Sequence, residues 1–231
     1  MNIEGAFLVF TRSYTRCVLM DCPRGRKIVR ILISIALGLL FASPEGFATT
    51  VRPPTFEELV ARADYVVRAE TIEVRSEWRG DGATRRIVTI VKLRVDRVIV
   101  GSAPETVELE FLGGRVGGRT LTVTDQPQFQ RADIDVLFVE NNGRQVSPLV
   151  NMMYGRYPVV RDPRDPAVEL VAREDGSPLR STADVSQPLH SAANGSASSL
   201  ANRSGELLSL EAFESEIRNT ATRVRRDQRR P

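Results

Sequence analysis

The chain has 231 residues, with 32 Lys and Arg against 29 Asp and Glu, a single His and two Cys. Residues 1–48 hold six of the basic and three of the acidic groups, so the remainder is formally neutral and the pI of about 9.2 belongs to the leader. That balance excludes a global nucleic-acid footprint. Because Cys17 and Cys22 both precede residue 48, a disulfide framework, a Cys-ligated metal and a thiol nucleophile are also excluded from residues 49–231.

In chain order, a positive run from Arg24 to Arg30 precedes an uncharged apolar run from Ile31 to Ala42 and the small-residue pattern Gly46-Phe47-Ala48. Positive, apolar and small-x-small regions in that order predict a signal peptide over residues 20–48. The apolar run falls short of the roughly 18–20 residues a membrane-spanning helix needs. Residues 1–19 fit no part of this leader, and Met20 is read as the initiator. The expected product is exported, periplasmic or extracellular, with no transmembrane segment after cleavage. It should comprise a body over residues 49–172, a flexible linker over 173–204 and a C-terminal helix over 205–231.

Thr55-Phe56-Glu57-Glu58 reads as a capping box, which accounts for the two glutamates without an acid pair. Phe56, Leu59, Val60 and Ala63 then share one side of a short helix. Tyr65–Trp78 and Arg85–Val100 are β-formers around the Gly80-Asp81-Gly82 turn and predict a long hairpin, bending near Asp96. Val107–Phe111 and Thr120–Thr124 alternate at period two around Gly113, Gly114, Gly117 and Gly118, which predicts a second hairpin. Thr124–Phe129 is a loop with one apolar plug. Asp135–Glu140 reads as a short buried strand, and Val146–Val150, Tyr157–Val160 and Val168–Ala172 as further strands. Beyond Ala172 the composition turns to Ser, Ala, Asn and Gly, with little apolar surface to offset ordering. A helix is expected from Glu206, its acids first and its arginines last.

Several groups invite a chemical reading. The glycine loop lacks the terminal Gly-Lys-Ser/Thr of a phosphate loop and leads into a strand rather than a helix, so it reads as a turn with Arg115 and Arg119 beside it. The lone His190 lies in the tail, where neither a zinc site nor a Ser-His-Asp triad has a fold to hold it. Glu108 and Glu110 alternate with apolar residues on a solvated face. Asp133 and Asp135 sit where a loop enters a strand, and could serve a hydrolase as an acid/base pair. That alternative requires a pocket lined by two or more of Asp125, Asp133, Asp135 and Glu140. Met152, Met153, Tyr154, Arg156 and Tyr157 form an adaptable binding patch or, alternatively, cover an open end of the fold. The C-terminal arginines are a solvated helix end or a polyanion contact. No catalytic residue, metal or cofactor is expected.

Read together, Ala63-Asp64-Tyr65-Val66-Val67-Arg68-Ala69, the strand ending Val95–Gly101, Phe111-Leu112-Gly113-Gly114, Gln128-Phe129 and Asp135-Val136-Leu137-Phe138-Val139 resemble a family of uncharacterised exported bacterial proteins. Their strand order and spacing resemble the OB-type barrel of tissue-inhibitor-of-metalloproteinase and netrin-like domains, over roughly Phe56–Val160. The resemblance implies a mainly β fold: a five- or six-stranded OB-like barrel with a short N-terminal helix and a flexible C-terminal extension ending in a helix. It also implies a non-enzymatic binding domain for an exported protein or envelope polymer, inhibitor-like in its sharpest form. In those inhibitors an N-terminal Cys chelates the target's zinc; here the expected mature start is Thr49-Thr50. A hydrolase and an OB-type polyanion-binding module are the alternatives.

Overall fold

A computed structural model describes residues 52–144, 146–162, 164–177, 179–189 and 207–228. The expected leader, His190 and residues 190–204 of the expected linker lie outside the described residues. Among the described residues no helix is long and apolar enough to cross a membrane.

The first helix, α1 (Phe56–Arg62), begins as its sequence dictates. Thr55 Oγ1 accepts the Glu58 N–H at 3.1 Å, and the Glu58 carboxylate accepts the Thr55 N–H at 2.7 Å. These bonds satisfy two donors that a helix start otherwise leaves orphaned. Phe56, Leu59 and Val60 are its buried side.

Eight strands follow: β1 (Tyr65–Arg79), β2 (Arg86–Val100), β3 (Thr106–Leu112), β4 (Gly114–Val116), β5 (Arg119–Leu121), β6 (Ile134–Val139), β7 (Arg156–Arg161) and β8 (Glu169–Val171). Six make one antiparallel sheet in the order β3-β2-β1-β6-β7-β8, and β4 and β5 pair only with each other. The β1–β2 hairpin forms as expected, and its register steps from Arg68↔Arg97 to Ala69↔Val95, leaving Asp96 as the extra residue of a bulge. A bulge of this kind bends and coils the strand, which is the change of direction expected at Asp96.

The sheet is buried on both faces. On one face Val66, Val136, Phe138, Tyr157 and Val171 join Phe56 and Leu59 of α1. On the other, Val67, Val91, Leu93, Leu109, Phe111, Leu137 and Val139 form a second cluster. Period-two alternation puts Phe138 on the first face and Leu137 on the second, which is why β6 reads as an unbroken apolar run. Strand ladders do not close the sheet into a barrel. Between β6 and β3 the irregular segment 141–150 carries the hydrogen bonds instead: Val150 N–H donates to Phe138 O at 3.0 Å, and Leu112 N–H to Val146 O at 2.9 Å. Residues 146–150, expected as a strand, contribute only the Val139↔Leu149 bridge.

Two expectations are corrected. Val107–Phe111 does not pair with Thr120–Thr124; β3 pairs with β2, and the glycine hairpin is the shorter β4–β5. Gly117 and Gly118 both have positive φ, at 54° and 80°, the type I′ turn that suits the twist of a two-residue hairpin. Gly113 and Gly114 (φ 109° and 130°) break the chain out of β3 before the hairpin begins.

The C-terminal region is likewise built into the body. Leu179 and Val185 are buried in the first cluster, so residues 173–189 do not behave as linker. The final helix, α2 (Leu210–Asp227), starts four residues later than expected because Leu208 is bound to strand partners, donating to Leu179 O at 2.7 Å and accepting from Val171 N–H at 3.0 Å. Ser209 then caps the helix. Leu210, Phe213, Ile217 and Ala221 recur at three and four residues and form one buried stripe. The Phe213 ring lies 5.8 Å from that of Phe56 and 5.0 Å from that of Tyr157.

Candidate functional site

The glycine hairpin overhangs a cavity of about 300 Å³. Its floor is Val91, Phe111 and Phe129, which also belong to or pack on the second apolar cluster, so the cavity opens directly off the interior of the sheet. Val74, Leu121, Val123 and Pro127 supply further apolar wall, and Thr89, Thr120, Thr122, Gln126 and Gln128 the polar positions. Val74 and Leu121 are 40% and 36% exposed, more than β-strand apolar residues with a covered face would be. The Gln126 Nε2 donates to Val146 O at 3.0 Å, while its Oε1 is buried with no hydrogen-bond partner. An unpartnered acceptor at an apolar cleft is a place where a ligand N–H or O–H gains a bond that water cannot readily supply.

Gly114 holds the hairpin against the sheet. A Cβ there would collide with the hydroxyls of Ser76 and Thr89. Those hydroxyls are 3.0 Å apart, and Thr89 Oγ1 donates to Gly113 O at 2.8 Å. The close approach therefore depends on glycine, and a small polar network fixes it.

The opposite wall is anchored by Arg156. Its Nε donates to Asp135 Oδ1 at 2.9 Å, its Nη2 to Asp133 Oδ2 at 2.7 Å, and its Nη1 to Glu174 Oε1 at 3.2 Å and to Gln128 O. The guanidinium carbon sits 4.3 Å from the centre of the Phe129 ring, a cation–π contact. The β6–β7 register, Leu137↔Arg156, puts Asp135 and Arg156 on the same face by alternation. Gln128 N–H also donates to Glu174 Oε1 at 3.1 Å. One side chain thus ties together β6, β7, the segment after β8 and the 128–133 loop. Burial raises Asp135 to a pKa of about 6 and Glu174 to about 7, because a single guanidinium cannot offset the desolvation of all the carboxylates around it.

The structure separates the residues that the sequence grouped. Arg115 and Arg119 are exposed on the hairpin, and neither side chain bonds another described residue. Met153, Tyr154, Arg156 and Tyr157 are buried, which corrects the expectation of an adaptable surface patch. Tyr157 is core, and burial raises its pKa. The Tyr154 hydroxyl accepts from Leu189 N–H at 3.2 Å. Met152, in the turn following Asn151, remains half-buried, and both have left-handed φ. Asp133 and Asp135, weighed as an acid/base pair, are instead the partners of Arg156. Glu140 pairs with Arg62 at 2.6 Å, and Asp125 is exposed. None of these four carboxylates lines the cavity. Among the described residues no group of His, Cys, Asp and Glu is arranged to hold a metal ion.

Sequence reasoning missed Val74, Thr89, Gln126 and Glu174. Their only signals were a Val and a Thr within long strands, an amide beside Pro127, and an acid at the margin of an expected linker. A scan of protein-family models finds no match to this chain, and searches of curated proteins and of solved structures find none either.

Proposed function

We propose that this chain is a non-enzymatic binding domain that takes part of an exported protein or cell-surface polymer into the cleft beneath the glycine hairpin. The observation that carries this reading is the make-up of the cleft wall: apolar side chains, threonines and glutamines, with no ionisable group among them. General acid–base hydrolysis needs a titratable group within reach of the reacting bond. The carboxylates a hydrolase would use are already engaged by Arg156 and Arg62. Single-stranded nucleic acid binding uses several exposed aromatic platforms among arginines; Phe56, Phe138, Tyr157 and Phe213 are interior, and Trp78 under Arg85 is one half-buried ring.

The resemblance to exported netrin-like and inhibitor domains belongs to the same proposal. An OB-like course is part of this reading; the hydrogen bonds that tie Val146 to β3 and Val150 to β6 support it, and small barrels commonly hold ligands at their mouths. An inhibitor-like role would then operate through the cleft and hairpin, since the expected mature N-terminus carries no chelating Cys.

The test is retention of one partner from envelope extract or culture fluid by the whole chain, at near-equal amount, compared with a Val74→Asp/Leu121→Asp variant. Both positions are partly exposed, so the variant should melt within a few degrees of the parent while retaining at least about ten-fold less partner. Equal retention by the two proteins overturns the cleft reading.

A further inference from the structure

The outermost strands, β3 and β8, are capped along part of their outer edges, while β1 beyond Thr71 has main-chain partners only in β2 among the described residues. On β3, Glu110 N–H donates to Asn142 Oδ1 at 3.2 Å and Asn142 Nδ2 donates to Glu108 O at 2.7 Å, so a side-chain amide stands in for a neighbouring strand. On β8 the chain at Leu208 and Ser209 fills the same role. The hairpin differs. Beyond its ladder with β4, no main-chain group from Thr120 to Thr124 hydrogen-bonds another described residue. The sequence there, Thr-Leu-Thr-Val-Thr, is made of strand formers. Strand β5 covers Arg119–Leu121, Thr122 and Val123 follow it without main-chain partners among the described residues, and the chain turns at Thr124; the outward N–H and C=O groups of this short run are a template for another strand.

Two further observations identify the occupant. The open run borders the cleft with Thr120, Leu121, Thr122 and Val123, so a strand laid beside it would bring every second side chain over apolar wall. Arg119 precedes it and Arg115 lies beside it on β4, both exposed and with side chains that bond no other described residue. Pairing of this edge with a second copy would set arginine against arginine, whereas an acidic chain is attracted.

The geometry points to β-strand addition. An extended segment of a partner protein, alternating acidic and apolar residues, pairs its main chain with Thr120–Val123. It places an apolar side chain between Val74 and Leu121, and its carboxylates meet Arg115 and Arg119. Main-chain bonds supply affinity and alternate side chains supply specificity in this mode. The inference rests on the cleft being the binding site and adds the class of chain that occupies it.

The probe is an end-blocked nine-residue peptide of alternating Glu and Val, added to the whole chain and read by amide hydrogen exchange. Binding should slow exchange within Thr120–Val123 by about ten-fold or more, and a peptide N-methylated at alternate residues should give no protection. An Arg115→Glu/Arg119→Glu variant should bind the Glu–Val peptide about ten-fold more weakly and prefer a Lys–Val peptide. Absence of protection, or equal binding by the N-methylated peptide, overturns strand addition. A parallel titration with an apolar fluorescent dye separates the two ideas. Dye binding that Leu121→Asp abolishes leaves the cleft standing even if strand addition fails; no dye binding removes both.

Discussion

Arg156 Nε and Asp135 Oδ1 meet at 2.9 Å on adjacent strands, and both residues are almost wholly withdrawn from solvent. Removing one member of a buried pair leaves the other charge without compensation, a cost of about 3–5 kcal/mol. Arg156→Met should therefore lower unfolding free energy by about that amount in urea titrations. Adding Asp135→Asn should restore part of it, because the orphaned charge is then gone. Equal instability of the single and double variants would show that the packing of the arginine stem, rather than its charge, is what matters.

The same cluster sets a dependence on pH with an unusual sign. Asp135 and Glu174 have folded-state pKa values of about 6 and about 7, above those of an unfolded chain, roughly 4. Between these limits the folded state binds more protons, so stability falls as pH rises from about 4 to about 7. Urea midpoints should be higher at pH 5 than at pH 8, by a free energy on the order of 4 kcal/mol if the two carboxyls titrate independently. In an Asp135→Asn/Glu174→Gln variant that slope should flatten; an unchanged slope would assign it elsewhere.

Much of this architecture is written in local pattern. The capping box at Thr55, the long β1–β2 hairpin, the bend at Asp96 and the doubly buried β6 each follow from periodicity or from a short motif within one element. What pattern does not carry is which distant elements meet. Asp133 and Asp135 looked like one acid/base pair, Arg156 like part of a separate patch and Glu174 like the edge of a linker; strand pairing brings Asp135 to Arg156, and the flanking segments bring Asp133 and Glu174. The glycine segment misleads for a related reason. Val107–Phe111 and Thr120–Thr124 alternate alike, but four glycines allow the chain to leave one sheet before turning, so β3 pairs backwards with β2. The cleft was invisible because its wall is composed of ordinary strand residues.

The glycines themselves are not equivalent. At Gly117 the φ of 54° is the only demand, since no atom lies within 4 Å of an added Cβ. Asn tolerates the left-handed region and favours this turn, so Gly117→Asn should leave the melting temperature nearly unchanged. At Gly114 an added methyl meets the Ser76 and Thr89 hydroxyls and the φ is 130°. Gly114→Ala should destabilise by about 1–3 kcal/mol and alter dye or peptide binding at the cleft. Similar behaviour of the two variants in melting and binding assays would remove the special role given to Gly114.

Phe213 is fully buried against Phe56, Phe138 and Tyr157. Phe213→Ala should cost about 3–5 kcal/mol, as large truncations in well-packed cores do. Arg225→Ala, on the exposed side of the same helix, should be nearly silent. Chemical denaturation of the two variants measures whether α2 is part of the cooperative unit, and a loss below about 1 kcal/mol at Phe213 would show that it is not.

The contact between Phe56 and Phe213 joins the first described helix to the last, and this has a bearing on how the chain is made. A ribosome releases α1 and all eight strands before it delivers the side chains that cover Phe138 and Tyr157. Until then the part of that face not covered by α1, Leu179 and Val185 stays exposed, and a premature stop ahead of Ser209 would leave it so. Such a product presents apolar surface to chaperones and proteases, which act on chains that fail to close.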